Sequence, residues 1–132
     1  MDAPKAEFEP GDVMVIDVKS PRRFTKSRGP NSVLVAGVYS TKPGVLATLH
    51  NVAGDAGWAE DEVPLAVVGI VPTKICDEGG AVGIGDMLVT SSRPGYAMKA
   101  PANPKAGTVL GKALGEMKDG TRVVEVLLGA AR

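Results

Sequence analysis

Short apolar runs separated by turn residues recur along the chain, and this pattern predicts strands rather than helices. Runs rich in β-branched residues occupy positions 13–18, 33–40, 65–71, 108–114 and 121–128. Glycine, proline and aspartate stand between the runs, where turns need a fixed or a positive φ. No stretch keeps a helical period over three turns, so we expect an all-β protein.

The clearest hairpin lies in residues 85–100. Gly85-Asp86 opens it, and an apolar run follows at 87–90. In Pro94-Gly95 the proline fixes φ, and the glycine is free to adopt a positive φ, so the chain turns back on itself. The other runs are expected to form similar short hairpins.

The chain also repeats itself weakly at a spacing of 74 residues. Gly11-Asp12 aligns with Gly85-Asp86, and Gly37 aligns with Gly111, each glycine inside an apolar run; Phe24 aligns with Met98 at the same spacing. The order of features is shared as well: Gly-Asp, strand, proline turn, strand, proline loop, and a strand with a central glycine. We interpret this order as two related β-units within a single domain.

The predicted architecture is a small barrel-like or sandwich domain of short hairpins with an internal pseudo-twofold repeat. Closure into a barrel would remove exposed strand edges. The single domain spans residues 1–132. Its repeat units lie at about 9–49 and 83–128, and the loop 50–62 and the strand 65–76 link them.

Composition narrows the possible partners. The 15 basic and 15 acidic residues cancel, so no surface for a polyanion is indicated and we do not expect a nucleic-acid partner. No run approaches the roughly 20 apolar residues of a membrane span. The N-terminal residues lack an apolar signal region, so an extracellular or virion location would require a longer protein.

The single cysteine and the single histidine limit the possible chemistry. Cys76 has no partner for an intrachain disulfide, and with His50 it cannot form a structural zinc site, so neither a metal nor a cofactor is predicted. Cys76 ends an apolar run, where a buried and inert thiol is expected. A Cys–His nucleophilic pair would need a local signature that is missing.

Asp12 and Asp86 occupy matched positions after glycine. Two matched carboxylates could share a proton, as in aspartic proteases, but the Asp-Thr/Ser-Gly order of those enzymes is missing. We therefore expect each aspartate to cap its turn by accepting hydrogen bonds from nearby backbone N–H groups.

Two further sets of residues are candidates for function. His50, Asn51 and Trp58 lie in the long irregular segment 50–62, where Trp58 could stack against a carbohydrate or another small ligand. The turns Thr90-Ser91-Ser92 and Asn31-Ser32 hold residue types that can attack a neighbouring peptide bond and cleave the chain. Nothing local distinguishes these turns from ordinary ones.

Residues 85–100, followed by 107–114 and 123–128, resemble β-rich modules near the C-termini of bacterial surface proteins and of phage tail-fibre or appendage proteins. Residues 11–13 and 35–44 carry the same resemblance. Some of those modules are related to intramolecular chaperone domains that cleave themselves after helping a trimer to assemble. The resemblance covers about residues 9–128, and it depends on turn and strand motifs rather than on a catalytic motif.

The resemblance implies a non-enzymatic structural or assembly module that forms a homo-oligomer, with a trimer as one possibility, or that binds a fibrous partner. Two alternatives remain open. One is a self-cleaving intramolecular chaperone domain, which would make the protein an autoproteolytic peptidase. The other is a carbohydrate- or small-ligand-binding module that uses Trp58, His50 and Asn51.

Overall fold

The computed structural model describes residues 8–19, 23–40 and 65–129, and these residues form strands, turns and loops without a helix. The all-β prediction is therefore confirmed. In chain order the strands are β1 (Val13–Ile16), β2 (Phe24–Lys26), β3 (Val35–Tyr39), β4 (Leu65–Ala66), β5 (Gly69–Cys76), β6 (Met87–Thr90), β7 (Ala97–Lys99), β8 (Gly111–Ala113) and β9 (Thr121–Leu128).

The strands form an open sheet and a closed barrel. The open sheet has the order β2-β1-β3-β4, and the barrel closes in the order β5-β7-β6-β8-β9. Neighbouring strands are antiparallel except for β5 and β7, which run parallel and meet where Ile75 lies opposite Ala97. The predicted barrel-like or sandwich arrangement is thus realised as a small barrel with a four-stranded sheet packed against it.

Strand pairing repeats between the sheet and the barrel. In the sheet, β1 pairs with both β2 and β3, and Met14 lies opposite Gly37. In the barrel, β6 pairs with both β7 and β8, and Leu88 lies opposite Gly111. The residue numbers differ by 74 in both strands of the pair (14 + 74 = 88, 37 + 74 = 111).

The hydrogen bonds that tie the first strand of each unit to the third also match. Gly11 N–H donates to the Tyr39 carbonyl at 2.9 Å, and Gly85 N–H donates to the Ala113 carbonyl at 2.7 Å. Both glycines have a positive φ, 98° for Gly11 and 91° for Gly85. A β-branched or bulky residue at either position would strain the backbone.

The second strand of each unit breaks the spacing of 74 residues by one. Ile16 pairs with Phe24, whereas the corresponding residue Thr90 pairs with Ala97, a spacing of 73 (24 + 73 = 97). The alignment of Phe24 with Met98 is therefore wrong. The connection between β6 and β7 is one residue shorter than that between β1 and β2, which no ungapped comparison can represent.

Aliphatic side chains fill one continuous core that runs from the barrel into the sheet. From the barrel come, among others, Val71, Ile75, Leu88, Val126 and Leu128, each no more than 2% exposed. The sheet contributes Val13, Val35, Val38 and Ala66 to the same cluster. The core is aliphatic, as the low aromatic content predicts.

Pro72 lies inside β5, within the strand that the sequence pattern predicts over 65–76. It is paired with Glu125 on β9. On the edge of β5 away from β9, Lys74 N–H donates to the Gly11 carbonyl at 3.0 Å. The backbone N–H and carbonyl groups of the even-numbered residues of β5 therefore point away from β9. The missing N–H of Pro72 therefore leaves no ladder hydrogen bond unmade.

Gly37 and Gly111 allow neighbouring strands to approach very closely. A Cβ atom at Gly37 would lie 2.2 Å from the Ala66 carbonyl oxygen, and one at Gly111 would lie 2.3 Å from the Leu127 carbonyl oxygen. Both obstacles are backbone atoms, which a side-chain rotation cannot relieve. Only a glycine therefore fits at either position.

We expect Gly37→Ala and Gly111→Ala each to lower the free energy of unfolding by about 3 kcal/mol, because the strands must separate to admit the methyl group. Urea denaturation followed by circular dichroism measures this change. Gly29→Ala is the matched control, since a Cβ at Gly29 meets nothing within 4 Å. Equal stability of the three variants would contradict the close-approach argument.

Candidate functional site

The predicted site residues divide into two groups in the structure. His50, Asn51 and Trp58 lie outside the described residues, so the ligand-binding hypothesis for that loop stays a prediction. Asp12, Asp86 and the hydroxyl-bearing turns lie within the described ranges. Their surroundings are polar clusters at the junction between the sheet and the barrel and at the ends of strands.

Asp12 and Asp86 make the same local hydrogen bond. Asp12 Oδ2 accepts from Glu9 N–H at 2.8 Å, and Asp86 Oδ2 accepts from Gly83 N–H at 2.8 Å. A lysine from the next strand of each unit faces each carboxylate: Lys26 Nζ lies 3.8 Å from Asp12, and Lys99 Nζ lies 3.6 Å from Asp86. Each aspartate therefore closes its own turn beside its own cation.

The two aspartates differ in burial. The Asp12 side chain is 1% exposed, whereas that of Asp86 is 29% exposed. The difference comes from β5, because Lys74 lies against the first turn: its Nζ is 2.8 Å from Asp12 Oδ1 and 2.7 Å from Glu9 Oε1. Lys74 thus connects the barrel to the turn that precedes β1.

Charge compensation at Asp12 depends on this lysine. Apart from the Lys74 ammonium, Asp12 Oδ1 has no hydrogen-bond partner within the described part of the chain. Burial alone would lower the pKa of Lys74, but hydrogen bonds to Asp12 and Glu9 outweigh it and hold that pKa above its ordinary value. The hydrogen bond and the charge of Lys74 hold the pKa of Glu9 below its ordinary value.

The turn between β6 and β7 completes the enclosure of Asp12. Gly95 has a φ of 81°, and a Cβ atom there would lie 2.6 Å from Asp12 Oδ1. Its carbonyl accepts from Val13 N–H at 2.9 Å, and its N–H donates to the Ser27 carbonyl at 3.0 Å. A glycine is needed here because the backbone of the barrel turn passes directly over the carboxylate.

Tyr96, in the same turn, lies between two cations. Lys74 Nζ is 5.6 Å and Arg93 Cζ is 5.0 Å from the centre of the Tyr96 ring. Both distances fall within the range of cation–π attraction. The ring therefore covers the ammonium that compensates Asp12.

The hydroxyl-bearing turns meet in the structure. Thr90 Oγ1 donates to the Gly29 carbonyl at 2.6 Å and accepts from Ser32 N–H at 2.9 Å. The Thr90 carbonyl accepts from Asn31 N–H at 3.0 Å, and Asn31 has a φ of 53°. Thr90 thus binds three groups of the loop before β3, and this contact between two predicted turns was not foreseen from the sequence.

Other features of the described residues offer little chemistry. A pocket of about 330 Å³ opens at the turn between β8 and β9, and its lining mixes charges of both signs from Glu116, Lys118, Asp119 and Arg122. Within the described ranges, no group of three or more His, Cys, Asp or Glu side chains is placed to hold a metal ion. Cys76 is buried beside Val89 and Met98, as predicted.

In the part of the chain that the structure describes, no helix has the length and apolar character needed to cross a membrane. Comparison with known protein families and with curated proteins finds no match to this chain. The candidate site therefore has to be interpreted from its own geometry. That geometry is a buried ion cluster that joins two β-units.

We expect Lys74→Met to lower the free energy of unfolding by about 3 kcal/mol, because it leaves the Asp12 carboxylate buried without its closest cation. Lys99→Met is the matched control. Lys99 faces the corresponding aspartate, but its side chain is 45% exposed, so its removal is expected to cost less than about 1 kcal/mol. Urea denaturation of both variants tests this difference. An equal loss of unfolding free energy in the two variants would show that the burial of Asp12 does not set the cost of removing its lysine.

The lowered pKa of Glu9 predicts a dependence of stability on pH. A carboxylate whose pKa falls on folding contributes stability above its unfolded value of 4.5 and loses it as the pH falls through the folded value. The difference in unfolding free energy between the parent chain and Glu9→Gln is therefore expected to be constant at neutral pH and to shrink below pH 4.5. Denaturation curves at several pH values measure it, and a difference that grows in acid would contradict the assignment.

Proposed function

We propose that this chain is a non-enzymatic structural or assembly module of a surface or tail-fibre-like protein. It acts by self-association or by binding a fibrous partner. The observation that carries the proposal is the number of large apolar side chains on the outside of the described fold. Eight such side chains are at least 39% exposed: Ile16, Val18, Val33, Val68, Ile70, Ile84, Leu114 and Val123.

The arrangement of these side chains supports an interaction surface. Single exposed apolar residues are normal in soluble proteins, whereas contiguous ones mark sites of association. Ile70, Val123 and Leu114 lie on or beside three neighbouring strands, β5, β9 and β8. They therefore belong to one patch of the barrel surface rather than to scattered positions.

The polar groups of the described turns also suit a structural role. Ser91 Oγ donates to the Tyr96 carbonyl at 2.8 Å, and Thr90 Oγ1 donates to the Gly29 carbonyl. A serine or threonine nucleophile needs a base to take its proton, and a carbonyl oxygen does not act as one. These bonds fix loops and favour the assembly module over the self-cleaving alternative.

Native mass spectrometry of the full-length chain tests the proposal. We expect a closed oligomer, a trimer or another, in which each chain keeps its encoded mass. A shortened chain would favour the self-cleaving alternative. An intact monomer at every concentration would contradict self-association and favour the ligand-binding alternative that uses Trp58 and its loop.

A further inference from the structure

The outward side of the barrel strands β5, β9 and β8 forms one surface, called here the outer face. Along β9, Val123, Glu125 and Leu127 alternate with the buried residues Val124 and Val126. Because side chains alternate along a strand, the first three project away from the core. The outer face is therefore defined by these three residues, by Ile70 on β5, and by Lys112 and Leu114 on and beside β8.

Strand register places the neighbours in rows. Leu127 lies opposite both Ile70 on β5 and Lys112 on β8. Ala113 pairs with Val126, so the next residue, Leu114, lies beside Glu125, and Leu114 N–H donates to the Glu125 carbonyl at 2.8 Å. Leu127, Lys112, Glu125 and Leu114 thus form the corners of a four-residue rectangle, longer along the strands than across them.

The rectangle has two leucines on one diagonal and two opposite charges on the other. Neither Lys112 nor Glu125 makes an ion pair with another described residue. Each charge is exposed at the edge of an apolar patch, where an opposite charge from outside the molecule would be favoured. The charges of the outer face can therefore pair with those of a second outer face, in one relative orientation of the two copies.

Two copies of the chain can bring these opposite charges together if a twofold axis relates them. The axis lies in the plane of the outer face, along the Leu114–Leu127 diagonal. Rotation about it places Lys112 of one copy over Glu125 of the other, and places each leucine over itself. It also brings Val123 near Met87, which is paired with Lys112 on β6. The strands of the two copies would cross steeply, at about 70°, closer to the orthogonal than to the aligned packing of sheets.

We infer that the outer face binds a second copy of this chain through this twofold contact. The inference rests on the proposed function and names the surface that performs it. An isologous contact needs a patch that is complementary to itself, and charges on one diagonal with apolar residues on the other satisfy that need. The patch spans only three or four strands, so the isolated chain forms a reversible dimer with a Kd on the order of micromolar.

A charge exchange tests the contact directly. Lys112→Glu and Glu125→Lys are each expected to raise the dimer Kd by roughly tenfold, because like charges then face each other. The double variant restores the attraction and is expected to return the Kd to near the parent value. Sedimentation equilibrium of the full chain measures all four proteins. Two weakened single variants without recovery in the double variant would overturn the inference.

An exposed apolar residue outside the outer face provides the matched control. Val33 is 60% exposed but lies before β3, on the sheet rather than on the barrel. Leu114→Asp is expected to abolish the dimer, whereas Val33→Asp leaves the Kd unchanged. The opposite result would move the interface to the sheet and overturn the assignment of the outer face.

A crosslink reports the position of the axis. Leu114→Cys places two thiols across the axis in facing sheets about 10 Å apart, too far for a disulfide but within reach of a short bis-maleimide. We expect a covalent dimer for this variant and none for Val33→Cys or for the parent chain, whose Cys76 is buried. If residues 41–64 of the same chain cover the outer face, the introduced thiol resists the reagent and no dimer forms, which overturns the inference.

These experiments separate the inference from the proposed function. An oligomer that is insensitive to all outer-face variants would retain the assembly function and reject this surface. A parent chain that stays monomeric at millimolar concentration would reject this contact and self-association together, and would leave only the binding of a fibrous partner from the proposed function.

Discussion

The contact between Asp12 and Lys74 is the interaction on which the joining of the two β-units depends. A carboxylate that is 1% exposed is tolerated only beside a compensating cation, and Lys74 supplies that cation from the barrel. The same strand donates Lys74 N–H to the Gly11 carbonyl, so a charge contact and a backbone hydrogen bond fix one relative position of the sheet and the barrel. The turn at Gly95 and the ring of Tyr96 then cover most of the pair, and the lower local dielectric strengthens the attraction between its charges.

The repeated turn has the same local structure in both units but different surroundings. The turns before β1 and β6 share their hydrogen bonds, their positive-φ glycine and their lysine neighbour. The difference lies in what packs against them: a Cβ at Gly11 would meet the Lys74 side chain at 3.2 Å, whereas one at Gly85 meets nothing within 4 Å. The two units differ further in how their strands end: β5 pairs with both β7 and β9 and closes the second unit into a barrel, whereas the sheet of the first unit stays open.

Sequence patterns predicted the strands well and the tertiary contacts poorly. The strands Val13–Ile16, Met87–Thr90 and Thr121–Leu128 lie where the apolar runs predict them, because each run is bounded by strong turn residues. The expected strand 65–76 continues through Pro72 to Cys76, but it is not one strand: pairing stops after Ala66 and resumes at Gly69, which has a φ of 105°. Lys74 was overlooked because a lysine in a strand normally faces water, and its partner Asp12 is distant in sequence.

The exposed apolar residues on the outer face are not explained by the stability of the fold. The buried carboxylate of Asp12 and the hydroxyls of Thr90 and Ser91 are satisfied by groups of the same chain, and the core is closed by aliphatic residues on both sides of the junction. Leucine, isoleucine and valine on the outside of β5, β8 and β9 add nothing to that core, and their exposure costs solubility. Selection for folding alone does not require apolar residues at these positions. This exposed apolar face carries one lysine and one glutamate that have no ion-pair partner among the described residues, which is the character expected of the contact surface that we propose.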